Sequence, residues 1–240
     1  MPTQIVHSNA QPRDIGREIS DSGLVEWRLL ADVPRDELQQ VLAIARRRPF
    51  DRGEIVFHEG DPADSLHLVV SGRFAARIRT PLGDTTLLAI YGPGDAFGEL
   101  ALVSPPSSRS ATVIALESAE TRSIFRKDFE GLRKRHPAVD RVLVGLLGER
   151  IRQMNERLLE AHYVDADTRV RHHLRELAAL YDRDGIAIIP LTQEEIAEIA
   201  GTSRATVNRV LREEERRGVI ELRRGRTTVV DREQLGRRTR

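Results

Sequence analysis

Residues 97–112 combine groups suited to an anion and to a neutral hydroxyl. Phe97, Gly98, Glu99, Leu100 and Ala101 are followed, across a short loop, by Arg109, Ser110, Ala111 and Thr112. Gly98 permits close approach to the backbone. The amides of Gly98, Glu99, Leu100 and Ala101 can line an anion site if they open a helical turn. Arg109 is the basic residue of this stretch, and its planar guanidinium suits phosphate. Ser110 adds a hydroxyl donor. Glu99 fits such a site only by accepting from a neutral donor such as a ribose hydroxyl, because a carboxylate repels phosphate. Phosphate plus ribose describes a nucleotide. A sheet-edge loop with a surface Glu–Arg pair accounts for the same residues, and their chemistry alone leaves the two readings level.

A second constellation lies near the C-terminus. Thr192 followed by Glu195 fits a capping box opening a short helix over 193–200, with Ile196, Ala197 and Ile199 inward. Gly201 and Thr202 suit a tight turn. Ser203 then caps a second helix running to Arg217, with Val207, Val210 and Leu211 on its inner face and Ser203, Arg204, Thr206 and Arg209 mostly outward. A short helix, a glycine turn and a second helix with a polar N-terminal end make a helix-turn-helix, whose second helix can enter the DNA major groove. Arg204 and Arg209 can each offer two parallel donors to a guanine edge. After Gly218, residues 219–222 and 227–230 read as strands joined by Arg223, Arg224, Gly225 and Arg226, a wing whose basic tip can meet phosphate. The net charge is only +1, but residues 168–240 hold 16 Arg against 12 acidic residues, so the positive charge collects here.

These groups need a frame to position them. Residues 24–48 have helical spacing, and Pro49 should end the helix. From Phe50 to Phe125 the pattern changes to strand-length apolar runs, namely 55–57, 66–70, 74–78, 85–90, 112–115 and 121–125, separated by glycine turns. Many short strands at this spacing read as a sandwich or barrel. A long helix follows over 137–162. Its apolar residues Leu143, Leu147, Ile151, Met154, Leu158 and Ala161 form one narrow seam between Arg and Glu, which a second copy of the helix would bury. Asp165 can cap a new helix after a break at 164–167. The expected division is a flexible tail at 1–24, a β domain at 25–136, a dimerisation helix at 137–164 and a DNA-binding unit at 165–240.

Composition narrows the classes further. With 0 Cys there is no disulfide, thiol catalysis or cysteine-held iron–sulfur cluster, and a haem or other metal cofactor is not expected. The histidines lack zinc-protease spacing, and His172 with His173 reads as a solvated pair. No apolar run approaches the ~18 residues of a membrane span, and the N-terminus has no secretory pattern. The expectation is a cytoplasmic protein that is not an enzyme.

Residues from about 29 to 230 resemble the Crp/Fnr family of transcription regulators, in particular its cyclic AMP receptor subgroup. The resemblance rests on Gly53, Gly60, Gly72 and Gly83, on Phe97-Gly98-Glu99-Leu100 with Arg109-Ser110-Ala111-Thr112, and on the long helix. It also rests on Leu191 to Ala197 and Gly201 to Val207. It implies an α+β fold: an N-terminal cyclic-nucleotide-binding β-roll (jelly roll), a long dimerisation helix and a C-terminal winged helix-turn-helix. It implies that Glu99 takes the ribose hydroxyl and that Arg109 and Ser110 hold the cyclic phosphate of cyclic AMP. Arg150, Met154 and Asn155 stand where relatives place an arginine and two small polar residues facing adenine, one from each protomer. Met154 departs from that pattern, since a thioether cannot hydrogen-bond as a hydroxyl does. Ala205 also departs, standing where relatives often carry a glutamate able to accept from cytosine N4.

The implied function is a homodimer whose helix arrangement is shifted by the nucleotide, so that two recognition helices meet palindromic DNA about 34 Å apart. RNA polymerase is the implied further partner. Two rivals remain: a regulator that binds DNA without cyclic AMP or answers another ligand, and a cyclic-nucleotide module serving another system. The complete winged helix weighs against the second.

Overall fold

The apolar runs between the glycine turns become two antiparallel sheets. The computed structural model describes residues 25–80, 83–103 and 108–235. The expected tail at 1–24, Leu82 in one turn and the middle of the loop before Arg109 lie outside the described residues. One sheet orders β1 (Arg46–Phe50), β8 (Ala119–Phe125), β3 (Ser65–Ser71) and β6 (Ala96–Phe97). The other orders β2 (Ile55–Phe57), β7 (Thr112–Ala115), β4 (Phe74–Arg79) and β5 (Thr85–Tyr91). Phe50, Val69, Phe74, Phe97 and Val113 fill the space between them. Phe50 meets Phe74 edge-on at 5.5 Å, the arrangement that ring quadrupoles favour. Each such ring, fully buried, contributes roughly 1.5–3 kcal/mol.

The helix expected over 24–48 is shorter and later. A single turn at Arg28–Leu30 precedes α1 (Arg35–Ile44), and residues 46–50 leave the helix to pair with β8. Pro34 fixes the start of α1. Pro49 sits on an edge strand, where a missing N–H costs no ladder bond. Pairing with a neighbouring strand therefore overrides the helical spacing of 46–48. Within the β-roll, α2 (Leu100–Val103) is one turn long; beyond it, α3 (Arg126–Arg135) leads into α4 (Pro137–Tyr163).

The upper part of α4 packs on its own protomer. Val139 and Leu143 are buried in a cluster with Leu30, Phe129 and Leu132, so Leu143 belongs to this core rather than to a free seam. Lower down, Ile151, Met154 and Leu158 are exposed.

After the break, Asp165 caps α5 (Ala166–Leu180) by accepting from the Thr168 amide at 2.9 Å. The C-terminal unit adds β9 (Asp182–Arg183), β10 (Ile186–Ile189), α6 (Gln193–Ala200), α7 (Arg204–Arg216), β11 (Ile220–Arg223) and β12 (Arg226–Val229). Its sheet runs β11-β12-β10-β9, so the wing extends a second hairpin, β9–β10, beyond the single one expected. Arg223 pairs with Arg226 inside the strands, which narrows the turn to Arg224 and Gly225. Val170, Leu174, Ile196, Val207, Val210 and Leu211 form the core beneath the helix-turn-helix.

That core continues into the β-roll through Ala75, Leu87 and Leu116. Arg77 adds ion pairs to Glu195 at 3.4 Å and Glu198 at 3.1 Å. Arg52 donates to the Pro190 carbonyl at 2.6 Å. No helix among the described residues is long and apolar enough to cross a membrane.

Candidate nucleotide pocket and DNA-binding surface

Gly98, Glu99, Leu100, Arg109, Ser110 and Arg150 line one pocket. Strand β6 delivers the chain to Gly98 with φ +85, a conformation that glycine adopts without strain. A Cβ at this position would lie 2.6 Å from Arg109 Nη1, so the glycine also makes room for the guanidinium. Arg109 is held on the far side by backbone ties to Gly60 and Asp61. Its Nη1 donates to the Ser65 carbonyl at 2.7 Å and its Nη2 to Ser65 Oγ at 2.9 Å. Its carbon lies 4.0 Å above the Phe57 ring. Burial pushes this guanidinium below its usual value, with Asp64 and Asp61 opposing.

Glu99 is 4% exposed. Arg150 reaches down from α4 and donates Nη1 to Glu99 Oε1, while its Nη2 holds the Ala96 carbonyl at 3.0 Å. Burial raises the Glu99 carboxyl above the ordinary carboxylate range, and Arg150 pulls it back. Two buried polar atoms here have no hydrogen-bond partner among the described residues: Glu99 Oε2 and Arg109 Nε. A buried unpaired carboxylate oxygen and guanidinium N–H are costly unless a ligand meets them. One asks for a donor and the other for an acceptor, which fits a sugar hydroxyl and a phosphate oxygen. Ser110 is exposed at the mouth, and Ala101 lies in the second position of α2.

The pocket wall is aromatic. Phe57, Tyr91 and Phe97 line it, and His67 stacks on Phe97 with rings nearly parallel at 5.1 Å. The low aromatic content concealed this concentration, because the rings come from separate strands. Met154 and Asn155 lie further along α4, exposed and outside the pocket wall of a single chain. His172 and His173 are not a solvated pair. His173 is buried, and Glu160 of α4 and Glu176 of α5 engage both rings across the break.

On the C-terminal unit the capping box forms with both hydrogen bonds: Thr192 Oγ1 accepts from the Glu195 amide at 3.2 Å, and Glu195 accepts from the Thr192 amide at 2.7 Å. Gly201 takes φ 56, and Ser203 caps α7 through the Thr206 amide at 3.2 Å. These caps fix the turn that presents α7. Ser203, Arg204, Ala205 and Arg209 are exposed along it, and Thr206 is half-buried with its hydroxyl on Ser203. Arg223, Arg224 and Arg226 are exposed on the wing.

Long-range ties invisible in the sequence complete the surface. Gln193 donates to Asn208 at 3.3 Å. Arg169 donates to the carbonyls of Ala200 and Gly201, clamping the turn to α5. The buried Glu214 accepts from Arg171 at 2.7 Å and from Arg217 at 2.8 Å, joining α5 to α7.

Comparison with known proteins follows the same division. Residues 47–136 match the model of the cyclic nucleotide-binding domain, and residues 168–238 match the Crp-like helix-turn-helix domain. A CRP-like cAMP-activated global transcriptional regulator of Mycobacterium tuberculosis is 38% identical over 80% of this chain and 87% of its own. The cyclic AMP receptor protein of Thermus thermophilus is 35% identical over 78% of this chain and 85% of its own. The solved catabolite activator protein of Thermus thermophilus aligns with TM-score 0.51 at 31% identity, covering 87% of this chain and 98% of that one. FixK2 from Bradyrhizobium japonicum shares the fold with TM-score 0.71 at 21% identity, over 80% of this chain and 96% of that one. Built from a cyclic nucleotide-binding β-roll and a winged helix-turn-helix, this chain belongs to the Crp/Fnr family of DNA-binding transcription regulators.

Proposed function

We propose that the chain is a homodimeric cytoplasmic regulator that binds palindromic duplex DNA when cyclic AMP fills the pocket described above. The observation that carries the ligand is a pair of orphaned buried atoms, Glu99 Oε2 and Arg109 Nε, on two residues that line one pocket. A ribose hydroxyl donates to the first and a cyclic phosphate oxygen accepts from the second, with Ser110 adding a hydroxyl. The amides from Gly98 to Ala101 supply further donors to the anion.

Assembly is supported by α4. Its lower half leaves Ile151, Met154, Leu158 and Leu159 exposed on a helix that is otherwise charged, and a second α4 buries them most simply. Such pairing brings Met154 and Asn155 toward the neighbouring pocket, where Asn155 can reach a base edge. Because Arg150 touches both pocket and helix, ligand and helix pairing are coupled. A ligand that binds one helix arrangement better shifts the population toward it.

On DNA, Arg204 and Arg209 read base edges with Ala205 and Thr206 between them. Thr192, Ser203, Arg223, Arg224 and Arg226 position the phosphates. The bound dimer then meets RNA polymerase. A second reading, response to a different cyclic nucleotide, is favoured by Met154, which offers the base no hydrogen bond comparable to a hydroxyl's. Titration calorimetry with cyclic AMP and cyclic GMP on the purified full chain tests the proposal. It expects saturable binding of cyclic AMP with the weaker response to cyclic GMP; no binding of either nucleotide overturns it.

A further inference from the structure

We infer that Asp167 competes with DNA for Arg209 and so sets how tightly the recognition helix binds. The two arginines proposed to read bases are not equivalent. Arg204 makes no hydrogen bond or ion pair among the described residues, whereas Arg209 is engaged with both of its terminal amino groups by one carboxylate. Nη1 donates to Asp167 Oδ2 at 2.6 Å, and Nη2 donates to Asp167 Oδ1. This is the parallel two-donor fork that guanine O6 and N7 accept. A carboxylate and a guanine edge therefore occupy the same donors and exclude each other.

The position of Asp167 makes the competition specific. It lies in the first turn of α5, directly after the break that follows α4, and Asp165 fixes that turn by capping Thr168. The nearby Arg171 is engaged by Glu213 and Glu214, both at 2.7 Å, which leaves Asp167 to Arg209. Arg209 holds the Asp167 carboxyl below the usual carboxylate range, so the pair persists throughout neutral pH. Arg209 remains exposed, and exposed pairs are weak enough for DNA to open them.

This inference rests on the reading of Arg209 as a base contact, and a double-mutant cycle separates the two. The full chain, saturated with cyclic AMP, is titrated by fluorescence anisotropy onto a duplex that the wild type has selected from a random pool. Asp167→Asn should bind about two- to fivefold tighter than wild type, the range that opening one exposed pair corresponds to. Arg209→Ala should bind more weakly, and adding Asp167→Asn to it should change nothing further. A gain that persists in the Arg209→Ala background is general electrostatics and overturns the inference. So does an Asp167→Asn affinity equal to or weaker than wild type while Arg209→Ala is impaired. If Arg209→Ala binds as well as wild type, the base-reading role fails and the inference falls with it. Asp167→Ser, which keeps a polar group in the first turn of α5, gives the same comparison if thermal unfolding shows Asp167→Asn to be unstable.

Discussion

Arg150 on α4 donates to the buried carboxylate of Glu99 in the β-roll pocket, tying the long helix to that pocket through one ion pair. Removing the arginine strands a buried charge. Arg150→Ala should therefore cost about 2–3 kcal/mol of stability, and Glu99→Gln in the same chain should restore part of it. Urea unfolding of the two single variants and the double variant measures the coupling. Strictly additive losses would show that the pair carries no coupled energy.

Arg109 lines the pocket with its buried Nε unpartnered, and Ser65 locks it in place. Arg109→Ala should weaken cyclic AMP binding by about 2–4 kcal/mol, because a charge-assisted contact to the phosphate disappears. Calorimetry reads this directly. Unchanged affinity would remove Arg109 from the site.

His67 gives the β-roll an acid sensitivity. Burial, then the nearby Arg109 and Arg48, hold its imidazole down from 6.5 to about 3. The unfolded chain therefore binds a proton at this residue before the folded one does. The resulting stability is complete above about pH 6.5 and is lost progressively as pH falls toward about 3. His67→Gln can keep a polar contact to Thr121 without titrating. It should lose less stability than wild type between about pH 7.5 and about pH 4.5. Equal losses measured by urea unfolding would contradict this role.

Local signals carried much of the fold. The capping box at Thr192 and Glu195, the cap at Ser203 and the glycine turn at Gly201 are contacts within three or four residues, and each forms as its sequence implies. The strands of the β-roll were legible because turn glycines bracket apolar runs. The stretch at 46–48 was not, because its conformation comes from pairing with Thr121, Arg122 and Ser123, far away in sequence. Residues 97–112 displayed Glu99, Arg109 and Ser110, but Ser65, Phe57 and Tyr91, which hold or wall the pocket, come from other strands. No spacing rule links them. The Arg209–Asp167 pair spans 42 positions and was equally invisible.

Ala205 is exposed on α7 and offers no acceptor to a base. Discrimination for the G·C pair whose cytosine a glutamate would contact should be weak. Ala205→Glu should add about 1–3 kcal/mol of preference there. Selection from random duplexes by both proteins tests this. If the wild type demands G·C at that pair as strictly as at the pair read by Arg204, another element makes the contact.

Pocket occupancy is proposed to control DNA binding. Anisotropy of a fluorescent duplex, selected from a random pool in the presence of cyclic AMP, measures it directly when the full chain is titrated with and without the nucleotide. Affinity should be at least about tenfold higher with cyclic AMP, a coupling of about 1.4 kcal/mol. The same affinity in both titrations, with the nucleotide shown to be bound, would contradict it.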